Sequence, residues 1–355
     1  MTELLVGTKK GLFVLEGAPG TPFAVAARAF AGEPVEYATR DPRTGRVLAS
    51  VTSAFYGPKL WYADDPAGEW QQATGVALPD GGDEALERLW VIVTGEGDGT
   101  LYAGGDPGVL FESRDGGASW TLNRGLWEHP TRPTWQPGGG GLCLHSIATW
   151  PGDPDRLAVA MSATGVWLTD DRGRTWSRGN EGLAAGYVPD DTPADQIPLC
   201  VHRLHRAPAR PERLFMQFHG GVYRSDDAGR TWADISGGLP SDFGFPLVLD
   251  PVDPDRAYLI PLAADSDRVT PDGRVRVYET RDAGASWSAR GQGLPQQDAY
   301  LTILREAFDR AGDDEAFELY FGATSGDVFG SGDAGASWAV AATRLPPVYS
   351  VSARR

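Results

Sequence analysis

Cysteine is scarce in this chain: 355 residues carry two, Cys143 and Cys200, beside three methionines and five histidines. That count excludes a disulfide-stapled scaffold. Two thiols in a chain of this size predict a reducing compartment and no Cys143–Cys200 bridge. No apolar run approaches the ~18 residues of a membrane-spanning helix. The opening segment, MTELLVGTKKGLFVLEG, has no basic stretch followed by an apolar one, so it does not read as a secretory leader and a cytoplasmic protein is expected. Basic residues are outnumbered, 32 Lys and Arg against 48 Asp and Glu, for a formal net charge of −16. Such a surface excludes nucleic acid and anionic membrane as partners of a general basic face, while leaving room for local basic sites.

Glycine and proline are plentiful, at 46 and 27, as many short strands joined by tight turns require. One pattern organises them. Ser/Thr-x-Asp-x-Gly-x-Ser/Thr-Trp occurs at Ser113–Trp120, Thr169–Trp176, Ser225–Trp232, Thr280–Trp287 and Ser331–Trp338, with a degenerate copy at Ala63–Trp70. The closing tryptophans recur every 51 to 56 residues, a period that means a radial or stacked array of small sheets. Within each copy the Asp carboxylate can accept hydrogen bonds from the backbone that follows it. Glycine supplies a positive φ, and the tryptophan wedges a large ring between neighbouring sheets. Asp115, Asp171, Asp227, Asp282 and Asp333 are therefore read as structural.

Two strand-like segments precede each copy, for example Leu101–Gly105 with Val109–Ser113, and Leu214–Gly220 with Val222–Asp226. The same pair recurs without the Asp pattern at Leu4–Leu15 and Val47–Asp65, making seven units. A further strand precedes six of them, beginning at Val35, Trp90, Leu144, Val201, Phe245 and Tyr300. The unit at residues 4–15 lacks one, and Val348–Ala353 supplies it. The expected fold is all-β: a seven-bladed β-propeller of four-stranded antiparallel blades spanning 1–355 as one domain, its first blade closed by the C-terminal strand.

The segments GLCLHSIA (141–148), CVHRLHRAP (200–208), HGGVYRSDDAGRTW (219–232), GLPSDFGFPL (238–247), RVYETRDAGASW (276–287) and LPPVYSV (345–351) resemble the BNR/Asp-box branch of β-propellers across essentially the whole chain. That branch includes sialidases, sortilin-type receptors and photosystem II assembly factors. The chain is most similar to a bacterial cytosolic family often labelled exo-α-sialidase or YVTN/BNR-like. The resemblance is specific for fold and implies no assured reaction.

In this strand order the Asp turns and the Asp153–Arg156 and Asp253–Arg256 turns share one face. The opposite face gathers the loops before each innermost strand and the turns between second and third strands. The long connections Thr121–Gly141, Ser177–Leu199 and Ala263–Gly273 fall there, and long loops in compact domains are often functional. Two of them lead into Cys143-Leu144-His145 and Cys200-Val201-His202, matching positions in successive blades, and His219 sits at a turn on the same face. His145, His202 and His219 are the candidate ligands of a transition metal, because imidazole is a favoured ligand for such ions. They are equally candidates for acid–base catalysis with Asp242 or Asp298. One packing solution inherited twice also explains the repeated Cys-x-His.

Around the same mouth the candidate ligand-binding residues are Glu36, Arg88, Trp135, Phe243, Asp298, Tyr300 and Tyr349. Glu87, Lys9, Lys10, Tyr56, Asp106 and Asp327 lie nearby, and Trp127, His129, Arg132 and Trp135 are placed as a lid. A rim of aromatics with a few charges suits a polar organic ligand or a sugar. The resemblance to sialidases implies a clamp of three arginines, a Tyr–Glu nucleophile and an Asp acid. The one near match, Arg344-Leu345-Pro346, aligns with the repeated turns Gly238-Leu239-Pro240 and Gly293-Leu294-Pro295, so Arg344 is read as structural. Two readings stay open: a propeller binding a small ligand or a protein partner at its channel mouth, and an enzyme working through those histidines. A sialidase-like glycoside hydrolase is the weaker third.

Overall fold

A computed structural model describes residues 1–81, 84–97, 99–186 and 198–355. Seven four-stranded sheets, each antiparallel, succeed one another along the chain. Blade one pairs Val348–Arg354 with Thr2–Thr8, followed by Gly11–Gly17 and Ala24–Ala29. In that closure Leu4 faces Ala353 and Val6 faces Val351. The innermost strands of blades two to seven are Val35–Arg40, Arg88–Thr94, Leu144–Trp150, Val201–Arg206, Gly244–Leu249 and Phe308–Ala311. Each packs against the innermost strand of the next blade, from Val348–Arg354 round to Phe308–Ala311, and so lines a central channel. None of the described helices is long and apolar enough to cross a membrane.

The Asp turn closes in the same way five times. In blade three the Ser119 N–H and hydroxyl donate to the two Asp115 carboxylate oxygens at 2.9 and 2.6 Å. The Ser113 hydroxyl donates to Asp115 at 2.9 Å and accepts the Gly117 N–H at 2.9 Å. Asp171, Asp227, Asp282 and Asp333 repeat the set with their own hydroxyl residues. Two consecutive residues have positive φ, and the second is always the motif glycine, as at Gly117 (91°) and Gly229 (92°). The tryptophan ring then enters the seam to the preceding blade. Trp120 shares a buried cluster with Leu48 and Leu60 of blade two, and the Trp232 indole donates to Gly179 O of blade four at 2.8 Å. Burial of one such ring contributes on the order of 2–3 kcal/mol by area.

Blade seven departs from expectation. Its innermost strand begins at Phe308 rather than at Tyr300. The residues before it are captured by blade six. Thr270 donates its hydroxyl to Ala299 O at 2.5 Å and accepts the Leu301 N–H, while the Thr270 N–H donates to Leu301 O. That capture leaves Asp298 and Tyr300 exposed at the blade six–seven seam and brings Arg305 and Glu306 to the channel instead.

Candidate functional site

The innermost strands enter the channel from the face opposite the Asp turns, so their first residues line its mouth. The mouth is built from four directions. Arg305, on the segment leading into blade seven, lies over the Trp90 ring of blade three at 5.0 Å and the Phe245 ring of blade six at 5.5 Å. Cys143 of blade four and Cys200 of blade five are close enough for its charge to act on both thiols. Arg305 forms no ion pair among the described residues, and its buried Nε has no hydrogen-bond partner. Burial pulls its pKa down, and the Glu306 charge opposes that shift only in part. A second guanidinium, Arg268, lies over Phe243 at 6.0 Å and Phe245 at 5.4 Å.

Histidines and cysteines divide between packing and a possible ligand set. The buried His145 is used up by the fold. Its Nε2 donates to Val201 O at 2.8 Å, tying blade four to blade five, and its Nδ1 meets the Ser146 hydroxyl at 3.0 Å. It therefore does not join the cluster expected of it. Cys143 is buried as well; its thiol donates to Gly140 O at 3.0 Å and approaches Asp106 Oδ2 at 3.4 Å. Burial first, then the Asp106 charge, push that thiol up to about 12.

The equivalent residues of blade five behave differently. One ligand atom each from Cys200, His202 and His219 lie within 4.8 Å of one another. His202 Nδ1 is 2.6 Å from Gly244 O, so Nδ1 carries the hydrogen and Nε2 keeps its lone pair. Burial, reinforced by Arg305, holds His202 well below the usual imidazole range, and it is neutral at pH 7. Cys200 thus takes the place in the cluster that His145 was expected to fill.

Glu36, Arg88 and Tyr349 meet on the other side of the mouth. Arg88 Nε lies 3.3 Å from Glu36 Oε1, and the guanidinium sits 4.7 Å above the Trp90 ring. Burial raises the Tyr349 phenol, and the Glu36 charge adds to it. Phe243 is buried against both His202 and His219, with centroids at 5.3 and 5.4 Å. Asp242 is exposed beside it, and Lys9, Lys10, Tyr56 and Glu87 are exposed too.

The expected lid is a wall. Asn123 caps the short helix Arg124–Trp127 by accepting the Leu126 N–H at 2.9 Å. Trp135 is buried 4.8 Å from Trp167, and His129 packs edge-on to Trp167 at 4.7 Å. Arg132 lies 3.8 Å over Trp127 and donates to Pro107 O at 2.8 Å. These contacts place Trp135 in the blade three–four seam and not over the channel. Part of the Ser177–Leu199 connection, residues 187–197, lies outside the described residues.

Below the mouth, Arg203 of blade five pairs with Glu306 of blade seven, and Arg203 Nε donates to His205 Nε2 at 2.8 Å. Beyond them, on the Asp-turn face, opens a cavity of about 620 Å³ lined by Tyr37, Arg40, His205, Asp309 and Arg310 among others. Sequence reasoning missed Arg305, Arg203 and Glu306. The signal present was Arg-Glu in a segment otherwise reading as strand, which carries little weight without knowing the strand start.

No family model matches the chain. An oligoxyloglucan-reducing end-specific xyloglucanase of Emericella nidulans is 24% identical over 205 residues, half of this chain; the match spans 24% of that enzyme's length. An ancestral GH74 enzyme superposes with a TM-score of 0.58 at 18% identity, over 83% of this chain and 36% of the enzyme. AztD from Citrobacter koseri superposes with a TM-score of 0.57 at 13% identity, over 99% of this chain and 97% of its own. YCF48 bound to a peptide gives 0.51 at 12% identity, over 90% and 84%. These likenesses show a shared seven-bladed β-propeller fold, with the GH74 enzymes and YCF48 as neighbours.

Proposed function

We propose that this chain is a ligand-binding propeller whose channel mouth takes a small organic anion. The observation that carries the reading is Arg305. A guanidinium held between Trp90 and Phe245, in no salt bridge among the described residues and attracted only at longer range by Glu306, which Arg203 already pairs, has its positive charge available to an incoming group. A bidentate Arg–carboxylate or Arg–phosphate contact in a partly dry site is stronger than one in water. Arg268 is ion-paired with Asp265 at 2.5 Å, so the unmatched charge is that of Arg305, and the Phe243, Phe245 and Trp90 rings supply apolar walls for the rest of the ligand. In a chain with a net charge of −16 this local reversal of sign selects anions at one place.

Within this reading the five Asp turns support placing the chain among Asp-box propellers, and two cysteines not joined in a disulfide support a reducing, cytoplasmic location. A glycoside-hydrolase reading draws support from the half-chain likeness to a xyloglucanase. It has less support from the mouth, where Glu36 is tied to Arg88 and Asp106 is approached by the Cys143 thiol, so neither stands free as one of an acid–base pair.

The test is thermal unfolding in rising concentrations of benzoate and of inorganic phosphate. A ligand bound only by the folded state stabilises by about 2.7 kcal/mol at 100 times its Kd. The wild type is expected to gain Tm with at least one probe, and Arg305→Gln to lose that gain. An unmoved wild type, or an equal gain in Arg305→Gln, overturns the reading.

A further inference from the structure

We propose that Cys200, His202 and His219 form a three-ligand site for zinc, with the fourth position left to a group entering from the channel. The site stands on different residues from the anion reading and can fail without it.

The local geometry is that of a strand pair. Cys200 immediately precedes the strand Val201–Arg206, and His202, its second residue, sits at a bulge in the pairing with the next strand, where the strict alternation of faces is broken. His219 sits across the hairpin, its N–H donating to Cys200 O at 2.9 Å. Three donors within 4.8 Å of one another need to close to roughly 3.3–3.6 Å for tetrahedral zinc with Zn–N near 2.0 Å and Zn–S near 2.3 Å. His219 can supply that closure, because it is half-buried at a turn and followed by Gly220 and Gly221. His202 is already oriented: its Nδ1–H is held by Gly244 O, the outer-shell arrangement that fixes the tautomer of a ligating imidazole. Phe243 and Phe245 pack against its ring as an apolar shell.

The repeat itself provides the control. Blade four carries the same Cys-x-His at Cys143 and His145, and there both ring nitrogens and the thiol are engaged by the fold. In blade five the His202 ring turns its Nδ1 to a carbonyl and keeps the Nε2 lone pair, while the Cys200 thiol meets the Ser162 side chain and the Ala163 backbone. Two copies of one motif have diverged, one into packing and one into a donor set. A thiolate with two imidazoles suits zinc, and an open fourth position is what distinguishes ligand-binding zinc sites from structural ones. Binding would expel the thiol proton of Cys200 into solvent as the Zn–S bond forms.

Cobalt(II) reports on such a site directly. Untagged, metal-free protein titrated with Co²⁺ is expected to take up one equivalent, with a near-ultraviolet thiolate-to-cobalt band that zinc abolishes by displacement. Cys200→Ser should lose the band. His219→Ala, a change at a half-buried turn that spares the strands, should weaken affinity beyond the ~10–100-fold that loss of an outer-shell partner costs. Cys143→Ala and Arg305→Gln should keep both band and stoichiometry. No band in the wild type, an unchanged band in Cys200→Ser, or its loss in Cys143→Ala overturns the proposal. Anion-dependent stabilisation that depends on Arg305 would survive all of these results, so the two readings fail separately.

Discussion

Arg203 of blade five and Glu306 of blade seven form an ion pair that bypasses blade six and crosses the channel. Both side chains are nearly out of solvent, at 10% and 2% exposed. Burial drives the Glu306 pKa up while Arg203 and Arg305 hold it down. A pair between blades that are not neighbours closes the ring from within, in addition to the strand exchange of blade one.

Breaking that pair from one side should be costly. Glu306→Gln or Arg203→Met leaves a buried group without its partner, and a loss of about 3–5 kcal/mol is expected. The double variant Arg203→Met/Glu306→Leu should recover most of it, since no charge is then stranded. Urea unfolding of the three proteins checks this, and equal losses for single and double variants would contradict it.

Arg305 predicts the reverse sign. Its charge is half-buried and unpaired, so Arg305→Met should raise the stability of the ligand-free protein, by about 1 kcal/mol or more, while removing the response to anions. A ligand-free Tm below that of the wild type would mean that the guanidinium is there for packing.

Stability should fall with acid in two windows. His145, His202 and His205 are kept neutral, chiefly by burial, with folded pKa values well below 6.5. As pH drops below about 6.5 the unfolded chain takes up protons that the folded one refuses, so stability declines. The turn carboxylates Asp115, Asp171, Asp227, Asp282 and Asp333 are held below their ordinary range, Asp171 at about 2 through hydrogen bonds from Thr175. Their contribution is present above about pH 4 and is lost as pH falls towards 2. Glu36, Asp106, Glu306 and Asp309 are shifted upwards by burial and act oppositely, stabilising below their unfolded values. Urea midpoints from pH 8 to 2 should show both declines, with the lower one reduced in Asp171→Asn. A flat profile between pH 7 and 5 would contradict the first.

Two adjacent glycines in blade three should respond very differently to alanine. Both have positive φ, but a Cβ on Gly117 would lie 2.3 Å from Leu48 Cδ2, whereas one on Gly116 meets nothing closer than Arg46 at 3.5 Å. Alanine already occupies the Gly116 position in three other turns, at Ala228, Ala283 and Ala334. Gly116→Ala should therefore cost about 1 kcal/mol. Gly117→Ala should cost several times that by forcing the blade two–three seam apart, and comparable Tm values for the two would contradict the account.

Much of the fold was legible because its signals repeat. Five Asp turns announce five blades, and Leu4–Leu15 with Val348–Ala353 announce the closure that Leu4–Ala353 and Val6–Val351 pairing realises. The site was legible only in part. Of the expected trio His145, His202 and His219, the latter two lie together against Phe243, and Glu36, Arg88 and Tyr349 meet as a second group. Trp135 and His145 read the same way on paper, yet one fills a seam beside Trp167 and the other spends both nitrogens on Val201 and Ser146.

By itself, then, the sequence determined what is local and periodic: a turn whose hydrogen bonds all lie within eight residues, short strands between such turns, and the number of times they recur. Tertiary structure decided which copies of those residues face the axis. The start of the blade seven strand depends on Thr270 capturing Ala299 and Leu301, and that capture, some thirty residues distant in the chain, brings Arg305 and Glu306 to the channel in place of Asp298 and Tyr300. Likewise Cys143-Leu144-His145 and Cys200-Val201-His202 share one Cys-x-His pattern. What separates a packed histidine from one that keeps a lone pair is which ring nitrogen meets the equivalent carbonyl of the next blade, Nε2 of His145 at Val201 O and Nδ1 of His202 at Gly244 O.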